Sequence, residues 1–308
     1  MLLPPVWNAG DPAARFEGVR LFLALSDIAY CDQAEGSQRL RGEFTLNGML
    51  FRGNGQRAFP MVAWIVPIEG DVVIAFRGTD GFPAILQDLK VIRRQTAEGG
   101  LHGGFASGYE DLHDSLVTQL RREQPTRVWL TGHSLGGALA VVAAWKLADA
   151  GFRIGGIVTF GQPRVCLADL ARTLGSRFQD RFLAFANDGD PIPNAVVPYV
   201  HFGWRLIYDG RLIVRINASA ELVPAGGTFA ARAPDDEGML PGDLEALIDQ
   251  LERGEGDGRG EADAGTEDRR YEGSLLESLF AKHSLTVYAS AVEAFLSSLP
   301  PAIEAEDA

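Results

Sequence analysis

The chain has 308 residues, of which 46% are hydrophobic and 22% are charged, with a formal net charge of −13. This composition is that of a folded globular protein and excludes a disordered or fibrous chain. The negative charge disfavours nucleic acid and anionic lipid headgroups as partners, because either would be repelled on average. Two cysteines, Cys31 and Cys166, are too few for a disulfide scaffold and lack metal-ligand spacing. We expect one domain over residues 1–308.

The first residues show no targeting signal. Residues 1–8 contain no basic side chain, and the apolar stretch at 21–25 is too short for a signal peptide or a membrane span. We therefore expect a cytoplasmic protein without a transmembrane segment.

The N-terminal quarter of the chain predicts one helix and an antiparallel edge. Apolar residues recur at helical spacing over 15–30. Turn dipeptides, Asn47-Gly48 and Glu69-Gly70, separate short apolar runs. The strands predicted from these two hairpins are 44–46 with 49–51, and 61–67 with 72–76.

Further along, buried strands alternate with helices. The predicted elements are a Gly-rich turn at 102–105, a helix at 106–123, strands ending at 132, 160 and 186, and a hairpin of 204–208 with 212–216. This alternation predicts an α/β fold with a central, mostly parallel sheet, helices on both faces and an antiparallel edge. Ligands of such sheets bind beyond the carboxyl ends of the strands.

The last third changes in character. Residues 218–272 are rich in glycine, alanine and acidic side chains, so we expect a flexible acidic insertion with one helix at 243–251. A C-terminal helix is predicted over 274–299, with an interruption near His283.

The strongest chemical signal is Gly132-His133-Ser134-Leu135-Gly136, which lies between an apolar strand and an apolar helix. A serine at such a turn protrudes from the sheet on a strained backbone, while flanking glycines let strand and helix approach each other. The helix N-terminus is directed at the reacting centre and can stabilise an oxyanion. Ser134 is the candidate nucleophile.

Serine needs a base to take its proton and an acid to orient that base. The chain order serine, acid, histidine leaves His201 and His283 as candidate bases. We favour His283, which follows the last strand, and expect His201 to pack near the acid.

The acid is expected on the loop after the 181–186 strand, which offers Asp188 and Asp190. We favour Asp190, because Pro191 and Pro193 restrict the loop and would hold its carboxylate in one direction. The competing interpretation is a turn residue that caps its own backbone.

Residues 82–94 have an apolar face that includes Phe82, Ile85 and Leu86. This segment predicts an amphipathic lid that covers the site and makes transient contact with a lipid interface. An ordinary helix packed on the core is the alternative.

Five motifs occur in an order that resembles the class 3 (fungal-type) lipases. They are Phe76-Arg77-Gly78-Thr79, His102-Gly103-Gly104-Phe105, Gly132-His133-Ser134-Leu135-Gly136-Gly137, Thr159-Phe160-Gly161-Gln162-Pro163-Arg164-Val165 and Asn187-x-x-Asp190-x-Ile192-Pro193, with a resumption at His283-x-x-x-x-Tyr288.

The resemblance implies an α/β-hydrolase fold, hydrolysis of lipid esters, and no cofactor or metal. It implies that Ser134, Asp190 and His283 form the triad, and that the N–H groups of Thr79 and Leu135 form the oxyanion hole. Residues near this site are expected to contact the substrate: His133, Phe82, Ile85 and Leu86.

The leading hypothesis is thus a serine carboxylester hydrolase, a lipase that acts on acylglycerols through an acyl-enzyme. The alternatives are a short-chain esterase or a phospholipase with the same triad, or a catalytically silent α/β-hydrolase that binds lipid or a partner.

Overall fold

A computed structural model describes residues 14–53, 61–79, 93–196, 198–211, 213–217 and 281–297. The helices in these ranges are α1 (Ala14–Ile28), α2 (Gln33–Phe44), α3 (Gly103–Glu123), α4 (Leu135–Asp149), α5 (Ala168–Phe178) and α6 (Leu285–Ser297). The strands are β1 (Met49–Arg52), β2 (Val62–Ile68), β3 (Asp71–Phe76), β4 (Arg93–Thr96), β5 (Gly99–His102), β6 (Val128–His133), β7 (Ile154–Phe160), β8 (Phe182–Asn187), β9 (Trp204–Tyr208) and β10 (Ile213–Asn217).

The main sheet has eight strands in the order β1-β2-β3-β6-β7-β8-β9-β10. The five strands from β3 to β9 in this order run parallel, while β1, β2 and β10 are antiparallel to their neighbours. The predicted α/β class with a mostly parallel sheet is confirmed. Antiparallel strands occur at both edges of the sheet: β1 and β2 at one edge, and β10 at the other, where it pairs with β9 as the predicted hairpin of 204–208 with 212–216.

Both faces of the sheet are covered by apolar packing. One core includes residues of α3, α4 and α5, and the other includes residues of α1 and α6. Every residue of β3, β6, β7 and β8 is buried. This explains why these strands read as continuous apolar runs, since a strand covered on both faces needs no polar alternation.

Of the predicted hairpin around Asn47-Gly48, the strand at 49–51 is confirmed as β1, but the strand at 44–46 is wrong and β1 pairs with β2 instead. Phe44 ends α2, and Thr45 follows it in the left-handed conformation with φ 56°. α2 is polar with few buried residues, so its hydrophobic pattern is weak. Its start is instead fixed by Asp32, whose carboxylate accepts hydrogen bonds from the N–H groups of Ala34 and Glu35.

Two boundaries near the site also differ from the prediction. His102 ends β5 and α3 begins directly at Gly103, so the glycine pair is helical and forms no turn. Arg93 and Arg94 belong to β4, which pairs with β5, and are not the end of a helix. The short helix α5 was not predicted.

Several predictions lie outside the described residues: most of the candidate lid, the acidic insertion at 218–272 and the helix at 243–251. The interruption of the C-terminal helix near His283 is present in residues 281–297, since α6 begins at Leu285. Of the helices described, none combines the length and the apolar character that a membrane crossing would require.

Candidate active site

Ser134 lies between the last residue of β6 and the first residue of α4. Its backbone has φ 56° and ψ −127°, a conformation that L-residues rarely adopt and that costs about 1–3 kcal/mol. The surrounding backbone holds it there: the Ser134 N–H donates to the Phe160 carbonyl at 2.9 Å. A Cβ atom at Gly136 would overlap the Phe76 carbonyl oxygen. The end of β3 and the start of α4 are therefore so close that only glycine fits at position 136.

The end of β3 runs against this turn. A Cβ atom at Gly78 would lie 2.6 Å from the His133 carbonyl oxygen, so the chain before Thr79 touches the backbone just before Ser134. Leu135 is the first residue of α4, and its N–H has no carbonyl one turn earlier in the helix. Leu135 therefore follows the serine directly, and Thr79 follows a residue that lies against the backbone of His133. The role of their N–H groups as an oxyanion hole stays a prediction.

Asp190 follows β8 and its side chain is fully buried. One carboxylate oxygen, Oδ1, accepts from the Ile192 N–H at 2.9 Å. The other, Oδ2, accepts from His283 Nδ1 at 2.7 Å and from the Tyr288 hydroxyl at 2.6 Å. Asp188, the alternative acid, is exposed. The structure therefore brings Asp190 to His283 with both oxygens fixed.

His283 is 2% exposed and lies in the turn before α6. Because its Nδ1 donates to a carboxylate, the lone pair is on Nε2. That Nε2 atom and the Ser134 hydroxyl are both buried and have no hydrogen-bond partner among the described residues. Buried polar atoms without a partner are uncommon in folded proteins, and two of those found in the described residues belong to the predicted base and the predicted nucleophile.

His201, the alternative base, occupies another position. Its Nε2 donates to the Pro193 carbonyl at 2.6 Å, so it supports the backbone of the loop that follows Asp190. Burial, together with Arg205 and Arg164, lowers the pKa of His201 well below its usual value. It is a neutral structural group in this arrangement.

His133 lies beside His283, with 4.6 Å between the ring centroids. Its Nε2 is 2.8 Å from the His283 carbonyl oxygen, and its Nδ1 is 2.9 Å from the Tyr30 hydroxyl. Burial and the neighbouring His283 ring lower the pKa of His133 well below its usual value. Since both ring nitrogens bond within the protein, neither is available to a substrate while these bonds last.

The other expected substrate contacts, Phe82, Ile85 and Leu86, lie outside the described residues. Among the residues that are described, no group of three or more histidine, cysteine or acidic side chains is placed to bind a metal ion. Sequence reasoning assigned no role to Tyr288 or Tyr30, although Tyr288 stood in a quoted motif. Their contacts with Asp190 and His133 join residues 98 and 103 positions apart in the chain, so local patterns gave no signal.

Residues 73–200 match the family model described as Lipase (class 3). Among curated proteins, the chain is 29% identical over 153 residues to phospholipase A1-II 1 of Oryza sativa subsp. indica, covering 40% of this chain and 39% of that one. It is 30% identical over 143 residues to the secreted mono- and diacylglycerol lipase LIP4 of Malassezia restricta, covering 41% and 47%. The chain thus spans less than half the length of these curated relatives.

Solved lipase structures share the fold. A triacylglycerol lipase whose catalytic centre is described as a serine protease triad aligns with a TM-score of 0.54 at 21% identity, over 63% of this chain and 80% of that one. The nonglycosylated LIP2 lipase of Yarrowia lipolytica aligns with a TM-score of 0.56 at 18% identity, over 66% and 85%.

The relatives correct one expectation. Lipases from Malassezia restricta, Gibberella zeae and Penicillium cyclopium that resemble this chain are named as secreted, which contradicts a cytoplasmic location. That prediction was wrong. It rested on the lack of a recognised leader in the first residues, and this observation does not determine where a protein acts.

Proposed function

We propose that this chain, whose residues 73–200 match the class 3 lipase family, is a member of that family and hydrolyses carboxylic esters of acylglycerols through an acyl-enzyme on Ser134. The observation that carries the proposal is the buried pair of Asp190 Oδ2 and His283 Nδ1, 2.7 Å apart. This bond fixes the tautomer in which Nε2 of His283 is a base.

In the proposed acylation, Nε2 of His283 takes the proton of the Ser134 hydroxyl while Oγ forms a bond to the ester carbonyl carbon. The electron pair of the carbonyl moves to its oxygen. The backbone N–H groups of Thr79 and Leu135 stabilise this oxyanion, supported by the positive end of α4. Collapse of the intermediate breaks the bond to the alcohol, which leaves with the proton from His283.

In deacylation a water molecule takes the place of the alcohol. Nε2 of His283 removes its proton as the oxygen attacks the acyl carbonyl, and the proton then returns to Ser134 when the carboxylic acid leaves. Asp190 keeps its charge in both halves and stabilises the imidazolium. The net reaction consumes one water and yields an alcohol and an acid.

The substrate class rests on the named relatives. Mono- and diacylglycerol lipases from three fungi support an acylglycerol. A phospholipid is the second candidate, since the Oryza sativa relative is named as a phospholipase A1. We expect Phe82, Ile85 and Leu86 to contact the acyl chain and a lipid interface, so the rate should jump when a long-chain ester exceeds its solubility limit.

The test is hydrolysis of p-nitrophenyl esters from short to long acyl chains, followed by a diacylglycerol and a phosphatidylcholine of equal chain length. We expect activity to rise with chain length, to favour the diacylglycerol, and to disappear in Ser134→Ala. Activity confined to the shortest ester would instead indicate an esterase. No activity with any ester would favour a lipid-binding or partner-binding protein.

A further inference from the structure

The backbone on either side of His283 is held by side chains from the sheet. His283 lies in a turn, outside any helix or strand, so the backbone ladder of a regular element does not fix it. Two consecutive carbonyl groups here accept side-chain hydrogen bonds. The Lys282 carbonyl accepts from Asn187 Nδ2 at 3.0 Å, and the His283 carbonyl accepts from His133 Nε2 at 2.8 Å.

Both donors lie at the carboxyl ends of strands in the main sheet. His133 is the last residue of β6 and Asn187 is the last residue of β8. Between them, Gly161 directly follows β7, and a Cβ atom there would lie 2.8 Å from Cε1 of His283. We call His133, Gly161 and Asn187 the histidine seat. The ends of three neighbouring strands thus contact one turn of the chain. Two of them supply hydrogen-bond donors, and the third, at Gly161, leaves space for the ring of His283.

The bonding partners of His133 require one tautomer. A backbone carbonyl only accepts, so Nε2 of His133 carries the proton and Nδ1 has the lone pair. The Tyr30 hydroxyl, 2.9 Å from Nδ1, then donates to it. Tyr30 follows α1, so the N-terminal part of the chain selects the form of His133 that can hold His283.

We propose that His133 and Asn187 are positioning residues that hold the backbone of His283 over the carboxyl ends of β6 to β8, and that the Tyr30 hydroxyl fixes the tautomer of His133 needed for this. The inference rests on the proposed function. It gives His133 a role through His283 in place of the expected contact with substrate.

A displacement of the base of about 1 Å lowers catalysis by roughly 100-fold. Loss of one seat donor therefore lowers kcat by about 10- to 100-fold and changes KM by less than about 3-fold, because substrate contacts stay in place.

His133→Phe and Asn187→Leu each remove a donor. His133→Gln keeps an amide N–H at a similar reach and restores most of the rate. His113→Phe is the control, since His113 bonds to Tyr109 on α3, away from the seat.

A double-mutant cycle separates positioning from a general loss of structure. We expect His133→Phe to slow the enzyme that has His283, and to cause no further loss in a His283→Ala background. Equal losses in both backgrounds would overturn the proposal, because His133 would then act without His283.

A second readout does not depend on activity. The Nδ1 proton of His283, bonded to Asp190, is followed by proton NMR in the full chain. Its resonance should shift or broaden in His133→Phe and Asn187→Leu and remain in His133→Gln and His113→Phe. An unchanged resonance in the first two variants would refute the seat. If no variant or wild type hydrolyses an ester, the proposed function fails and this resonance alone decides on the seat.

Discussion

Tyr288 donates a 2.6 Å hydrogen bond from its buried hydroxyl to Oδ2 of Asp190. The same oxygen accepts the Nδ1 proton of His283, so two donors share one atom. Burial and the adjacent Asp190 carboxylate raise the pKa of Tyr288, which keeps the phenol protonated as a donor. The hydrogen bond from Tyr288 therefore offsets part of the negative charge of Asp190, which weakens the attraction between Asp190 and His283.

Removal of this donor has a spectroscopic signature. In Tyr288→Phe, Oδ2 of Asp190 no longer shares its charge with the Tyr288 hydroxyl, so its hydrogen bond to Nδ1 of His283 becomes stronger. The resonance of the His283 Nδ1 proton should move downfield in proton NMR. The free energy of unfolding should fall by about 1–3 kcal/mol, because a buried charge loses a hydrogen bond. An Nδ1 proton resonance at the wild-type position would show that Tyr288 has no influence on the bond between Asp190 and His283.

The two candidate bases can be separated by matched amide variants. His283→Gln removes the proposed general base, so kcat should fall by about a thousand-fold or more. His201→Gln retains an N–H for the Pro193 carbonyl and should keep kcat within about 3-fold. Initial rates with a soluble ester measure both. The reverse order of losses would transfer the role of base to His201.

The backbones of β3 and α4 are in close contact at Gly136. We therefore expect that one methyl group added at this position lowers the free energy of unfolding. In Gly136→Ala the new Cβ overlaps the Phe76 carbonyl oxygen, so β3 and α4 must separate. We expect a loss of about 2–4 kcal/mol and little remaining activity. Gly42→Ala is the control: its Cβ would meet nothing within 4 Å in α2, and it should stabilise by about 0.5–1 kcal/mol. Urea unfolding of both variants tests this, and equal stabilities would contradict the close approach.

Buried neutral histidines make stability dependent on pH. The pKa values of His133 and His201 are lowered in the folded state by burial, so both stay neutral while the unfolded chain binds protons below about pH 6.5. The free energy of unfolding therefore falls as pH drops through that value. Between pH 7.5 and 5.5 each such histidine contributes a loss of about 1.4 kcal/mol.

His201→Gln isolates one of these contributions, because glutamine does not titrate in this range. Urea unfolding at pH 7.5 and 5.5 should show a loss that is smaller in the variant than in wild type by about 1.4 kcal/mol. The same pH dependence in both proteins would mean that His201 takes up a proton in the folded state.

The sequence predicted the elements whose signal is local. Glu69 and Gly70 join β2 and β3 with positive φ values, as a turn dipeptide requires. The apolar strand before Ser134 and the apolar helix after it were likewise evident from short windows. In contrast, α2 was missed because only Gly36 and Leu40 are buried in it, although Asp32 offered a capping signal.

Local sequence patterns could not predict the side-chain contacts within the site. The choice between Asp188 and Asp190 depends on which carboxylate points inward to His283, 93 residues away from Asp190 in sequence. The bond from His133 to His283 spans 150 residues. Three-dimensional proximity of this kind follows from strand order and register, which a single sequence does not display.

The central claim is that Ser134 is a nucleophile activated by His283 and Asp190. Its most direct test is the reaction of the folded chain with a fluorophosphonate, followed by intact mass and peptide mapping. We predict one adduct, located on Ser134, absent in Ser134→Ala and formed at least a hundred-fold more slowly in Asp190→Asn. A wild-type protein that takes up no label, or a label that persists in Ser134→Ala, would contradict the account.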